Sequence, residues 1–134
     1  MILLASSVDQ LSPYLQGLSA ELVAQLGKEE SGPVTFLIPD NGYCPDWIRG
    51  QHESVAVRVT NHPTVATITA ALGGPIVSTS ANRSGEPTLG SAESIRESLG
   101  DEIDGIVAGE LGGAAGASEI RDLKTGQIIR EGGK

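Results

Sequence analysis

Residues 54–79 read SVAVRVTNHPTVATITAALGGPIVST. The first seven alternate: Val55, Val57 and Val59 fall on one side of an extended chain, Ala56, Arg58 and Thr60 on the other. Asn61 then predicts a helix cap, with Pro63 in the first turn and an apolar stripe of Val65, Ile68 and Leu72 over about 62–72. Gly73-Gly74 ends that helix, and Pro75–Thr79 resume an extended run. Strand, capped helix, glycine turn and strand again predict a βαβ unit with parallel neighbours, hence an α/β sheet.

Outward from this unit the pattern continues. Leu3 and Leu4 read as a short buried strand, although MILL gives a chain starting inside its own sheet. Ser6 or Ser7 predicts the cap of a helix over about 8–17 with Leu11, Tyr14 and Leu15 on one face. Ser19 predicts a second, through Leu22, Val23 and Leu26, closed by Gly27. GPVTFLIP (32–39) is a strand between prolines, and DNGYCPDWIRG (40–50) a loop. A helix is predicted over 91–99 from Ser91 to Gly100, with Ile95 and Leu99 inward, then a short strand in DGIVAG (104–109). SEIRDLKTGQIIRE predicts a hairpin turning at Thr125-Gly126. The expectation is one domain, 1–134: a twisted mixed sheet with flanking helices and a C-terminal hairpin.

The 134 residues suffice for one core, built from Leu, Ile, Val and Ala because aromatics are only 3%. A formal charge of −8, with nine scattered cations, disfavours broad electrostatic binding of nucleic acid and leaves room for a local basic pocket. The single cysteine, Cys44, cannot form an intramolecular disulfide and suits a reducing compartment, so a cytoplasmic location is expected. No apolar run spans a bilayer, so no membrane partner is expected. His52 and His62 lack metal-ligand spacing, and DEID (101–104) lacks calcium-loop spacing. No G-x-x-x-x-G-K-[ST], G-x-G-x-x-G or G-x-S-x-G is present.

Chemistry concentrates where the 75–79 strand ends. Ser78, Thr79, Ser80, Asn82, Ser84 and Gly85 leave its carboxyl end, where α/β sheets bind ligands. Convergent hydroxyls and N–H groups there can cradle phosphate or carboxylate, although from the pattern alone an ordinary serine-rich turn is the favoured reading. Arg58 interrupts an uncharged strand and calls for an anion, unless it lies on an open face or pairs with a nearby acid. By pattern alone, Arg130 reads as solvated surface and Ser118 as a strand-start hydroxyl.

Four ordered segments, SGPVTFLIP (31–39), SVAVRVTNHP (54–63), GGPIVSTSANRSGEPT (73–88) and ASEIRDLKTGQIIREG (117–132), resemble the YrdC-like family of threonylcarbamoyl-AMP synthases, also called TsaC. The resemblance runs from about residue 1 to the end, and STSAN-x-SGxP is its most specific element. It implies a twisted α/β sheet around an electropositive cavity. It also implies a nucleotidyltransferase that condenses L-threonine, bicarbonate and ATP to threonylcarbamoyl-adenylate and pyrophosphate, for tRNA modification completed by downstream transfer proteins. Magnesium is expected to accompany ATP, and no protein metal ligands are implied.

Carried over by motif, Arg58, Ser78 and Ser118 surround L-threonine. Ser54, Ser80, Thr88 and Arg130 contact ATP, and Ser80 with Asn82 forms the Ser-x-Asn signature, read as catalytic. Ala117 stands where the family usually has proline. Family members also carry an upstream segment with a Lys-x-Arg signature, and the chain begins at what resembles the strand after it. The expectation is therefore a domain lacking that segment: a misassigned start, a cut chain, or a short form of weak or no activity. A non-catalytic nucleotide- or RNA-binding module, with weak RNA binding, is the alternative. A YrdC-like domain of hydrogenase-maturation type ranks last, without its zinc or acylphosphatase motifs.

Overall fold

The computed structural model describes residues 1–27, 34–49, 53–79, 89–107 and 119–130, with Arg130 described by its backbone alone. They fall into two compact units, residues 1–78 with 113–134, and residues 79–112.

The first unit is built on a six-stranded mixed sheet. In chain order its strands are β1 (Ile2–Ala5), β2 (Val34–Pro39), β3 (Ser54–Val59), β4 (Ile76–Ser78), β5 (Glu119–Asp122) and β6 (Ile128–Arg130). In space they run β4-β1-β3-β2-β5-β6. The β1/β3 and β2/β5 pairs are parallel and the other three antiparallel.

Register shows why each strand buries the face it does. Leu3 pairs with Val57, Leu3 with Val77, and Phe36 with Val57, so odd-numbered β1 and β3 residues share a face with even-numbered β2 residues. That face is the core side. Leu3, Ala5, Phe36, Ile38, Val55 and Val57 cluster there with Leu11, Leu15, Leu26, Cys44, Ile48 and Leu123. The three valines of β3 pack inward as their alternation predicts, although Val59 is only partly buried.

Helices meet this core through short, capped segments. The helix predicted over 8–17 is two pieces, a 3-10 helix at Val8–Leu11 and α1 at Ser12–Leu15. Pro13 in the first turn of α1 starts a new helix well and continues one badly, and Gly17 at φ +96° follows it. Neither predicted serine caps. Ser7 holds the cap position without a side-chain bond, while the Ser6 hydroxyl meets Thr69 Oγ1 at 2.9 Å and accepts from Gln10 Nε2 at 3.0 Å. In α2 (Ala20–Leu26) the Ser19 hydroxyl does accept from Leu22 N–H at 3.3 Å. The 40–49 loop contains the single turn α3 (Asp46–Arg49).

The β3–α4–β4 segment departs from expectation. β4 does not run parallel beside β3; it pairs antiparallel with β1, which holds the slot next to β3. A crossover unit read locally cannot reveal that a strand fifty residues upstream occupies the neighbouring position. The cap of α4 (Pro63–Leu72) is His62, whose Nδ1 accepts from Thr64 N–H at 3.2 Å, rather than Asn61. Its inward stripe is Val65, Ile68 and the fully buried Thr69, while Leu72 is 68% exposed. Gly73 closes the helix at φ +76°, a conformation that glycine adopts without strain.

The β5–β6 hairpin turns where predicted, with Gly126 at φ +75° and Asp122 Oδ1 accepting from Lys124 and Thr125 N–H. In the second unit, α5 (Ala92–Leu99) starts from a reciprocal Ser91–Ser94 capping box. The strand expected at 104–109 is absent from its described part, 104–107, where Val107 is 68% exposed. Among the described residues this short stretch, broken by Gly105, has no cross-strand partner to hold it extended.

Candidate functional site

The face of the sheet opposite the core carries three of the candidate site residues, Ser54, Arg58 and Ser78. Ser54, Ala56 and Arg58 alternate with the buried valines of β3 and so point away from them. Leu4 pairs with Arg58 and with Ile76, and Ile2 pairs with Ser78. Register partners share a face, so Arg58, Leu4, Ile76, Ile2 and Ser78 belong to one surface. All five are partly buried. Ser54 joins them at the start of β3, in register with Pro39.

On the other flank of β3, Val57 pairs with Phe36; continuing that antiparallel register by one residue sets Arg58 level with Thr35. Thr35 pairs with Ile120, and Ile120 with Arg130. One row of the sheet therefore crosses Ile76, Leu4, Arg58, Thr35, Ile120 and the Arg130 backbone. At about 4.8 Å per strand, Arg58 and the Arg130 backbone lie roughly 14 Å apart. Ser78 lies two strands and two residues from Arg58, roughly 12 Å away by the same spacings.

Arg58 is the electrostatic centre of this face. Burial pushes its guanidinium below the ordinary arginine value, because water that would solvate the charge is partly removed. Among the described residues no carboxylate pairs with it and no hydrogen bond satisfies it. The other described arginines in the sheet and its loops differ. Arg49 pairs with Asp40 at 3.0 Å and with Asp46, and Arg121 pairs with Glu119 and stacks 5.9 Å over Phe36. A half-buried, planar five-donor cation with no protein anion is suited to a carboxylate, carbamate or phosphate.

Of the residues read from sequence, the structure brings Ser54, Arg58 and Ser78 to one face and sets the Arg130 backbone in the row of Arg58. Ser80, Asn82, Thr88 and Ser118 lie outside the described residues. The sequence reading missed the apolar members of this face. Leu4 reads as buried core in MILL, but its register with Arg58 places it on the face opposite the core. A four-residue, wholly apolar strand carries no alternation from which to assign faces. Among the described residues no cluster of three His, Cys, Asp or Glu side chains could hold a metal. No helix of the described residues is long and apolar enough to cross a membrane.

A mixed sheet that carries hydroxyls and, among the described residues, a guanidinium without a partner on one face is an α/β architecture with a candidate anion site. Comparison with known proteins gives the particular family. Residues 1–132 match the Sua5/YciO/YrdC family, described as telomere recombination, and the chain belongs to that family. It is 48% identical over 130 residues to threonylcarbamoyl-AMP synthase of Chromohalobacter salexigens, covering 97% of this chain and 70% of that protein. With the Cellvibrio japonicus protein of the same name it shares 42% over 130 residues, covering 97% and 69%. Among solved structures, P. abyssi Sua5 complexed with L-threonine superposes with a TM-score of 0.84 at 27% identity, over 98% of this chain and 39% of that one. E. coli YciO superposes with a TM-score of 0.74 at 25% identity, over 98% and 65%.

Proposed function

We propose that this chain is a threonylcarbamoyl-AMP synthase, a nucleotidyltransferase that joins L-threonine, bicarbonate and ATP. The amine of threonine adds to the bicarbonate carbon, and a carbamate forms with loss of water. A carbamate oxygen then attacks the α-phosphorus of ATP, and the bond to the β-phosphate breaks to release pyrophosphate. Both steps bring anions together, so the protein's contribution is to position them and offset their charge, with no protein nucleophile.

The observation that carries this reading is Arg58: a half-buried guanidinium without a partner among the described residues, on the same sheet face as Ser54 and Ser78. In this reading Arg58 grips the carboxylate or carbamate, and Ser78 and Ser118 complete the threonine site. Ser54, Ser80 and Thr88 donate to ATP oxygens, and Arg130 offsets phosphate charge. Asn82 acts beside Ser80 in the Ser-x-Asn pair. Magnesium would ride on the triphosphate, whose oxygens suit this hard cation. The product passes to downstream proteins that transfer the threonylcarbamoyl group to tRNA. A protein that only bound nucleotide or RNA would have no use for an amino-acid site.

The experiment is pyrophosphate release by the purified chain and by Arg58→Gln. Release by the chain that requires threonine, and falls at least about tenfold in the variant, is the expected result. Release indifferent to threonine, or unaltered in the variant, overturns the assignment. Strongly salt-dependent tRNA binding without ATP binding would establish the RNA-binding module instead.

A further inference from the structure

Arg58 and Ser78, the two described members of the proposed threonine site, do not stand on neighbouring strands. β1 runs between them, pairing with β3 on one side and β4 on the other. Leu4 is in register with both Arg58 and Ile76, and Ile2 with Ser78. An amino acid reaching from Arg58 to Ser78 must therefore lie across Leu4 and Ile2, with Ile76 beside them.

From this we infer that Leu4 and Ile76 are specificity-determining residues: they form an apolar floor that receives the side-chain methyl of the bound amino acid while Arg58 holds its carboxylate. The inference rests on the proposed reading of Arg58 and Ser78. Leu4 and Ile76 are partly exposed on this face, so a ligand methyl can reach them. A methyl packed on such a surface distinguishes threonine from serine, which differs only by that group. One methyl or methylene in an apolar site is worth roughly tenfold.

The test is calorimetric titration of the chain with threonine and with serine, repeated on Leu4→Ala, Leu4→Val, Ile76→Ala, Arg58→Gln and Val77→Ala. Val77 occupies β4 but shares the face of Leu3, so it reports any general disturbance of that strand. Leu4→Val keeps the measurement interpretable where Leu4→Ala lowers the melting temperature too far. The expected result is threonine affinity reduced about three- to tenfold in Leu4→Ala and Ile76→Ala, less in Leu4→Val. Serine affinity should stay within about twofold in all three, and Val77→Ala should match the unaltered chain. Equal losses for both amino acids, or no loss for either, overturn the inference and leave the site reading standing. Undiminished threonine binding by Arg58→Gln, or no threonine binding by the unaltered chain, overturns the site reading and the inference with it.

Discussion

Arg58 and Cys44 show how burial sets the behaviour of single side chains. The Arg58 guanidinium has given up part of its hydration without gaining a protein anion among the described residues, so it is poised for an anionic ligand. Arg58→Lys keeps the charge but loses the planar fork. We expect it to weaken threonine binding by about 1–2 kcal/mol, less than Arg58→Gln, as read by titration calorimetry. Cys44 is buried in the core cluster, and its thiol is pushed up by burial first and by the nearby Asp40 charge second. An unfolded thiol ionises at about 8.5, and the folded one above that. The thiol's contribution to stability is therefore complete below about pH 8.5 and lost as pH rises through the folded value. Urea midpoints measured between pH 7 and 10 should fall less steeply in Cys44→Ala than in the unaltered chain. The charge pattern of SVAVRV made Arg58 conspicuous in the sequence. What its neighbours are was not legible, because the row from Ile76 to Ile120 joins five strands brought together only by folding.

At the scale of elements, capping chemistry was partly readable. Ser19 and Ser91 cap as their positions predict, since a serine before an apolar or amphipathic run has few competing roles. At α4 the cap passes one residue on, to His62, because an imidazole nitrogen accepts the Thr64 N–H as well as an amide oxygen would. His62→Ala should cost α4 about 1 kcal/mol, and Asn61→Ala should cost markedly less, by urea denaturation. Thr69 escaped the helical stripe read from apolar residues alone. It is fully buried, donates to the Val65 carbonyl at 2.8 Å and meets Ser6 at 2.9 Å. Thr69→Val keeps the shape and removes the hydroxyl. It should destabilise by about 1–2 kcal/mol, and a double-mutant cycle with Ser6→Ala should show coupling. The turn at Gly126 was legible because Thr-Gly between two β-rich runs leaves few alternatives. The antiparallel direction of β4 was not, because local periodicity carries no information on which strand fills the slot beside β3.

For the whole molecule, the fold separates its two tasks by face. The side of Leu3, Phe36 and Val57 builds the core against the helices, and the side of Ser54, Arg58 and Ser78 is left partly open to ligand. In a chain of formal charge −8, Arg58 thereby places a cation on the face where the proposed acidic substrate would bind. The most direct measurement supplies ATP, L-threonine and carbon-13 bicarbonate to the purified chain and follows the labelled carbon by NMR and mass spectrometry. A labelled carbonyl carbon in threonylcarbamoyl-adenylate, formed only when all three substrates are present and lost in Arg58→Gln, is the predicted result. Pyrophosphate released with no label in an adenylate, or a labelled product undiminished without Arg58, would contradict it.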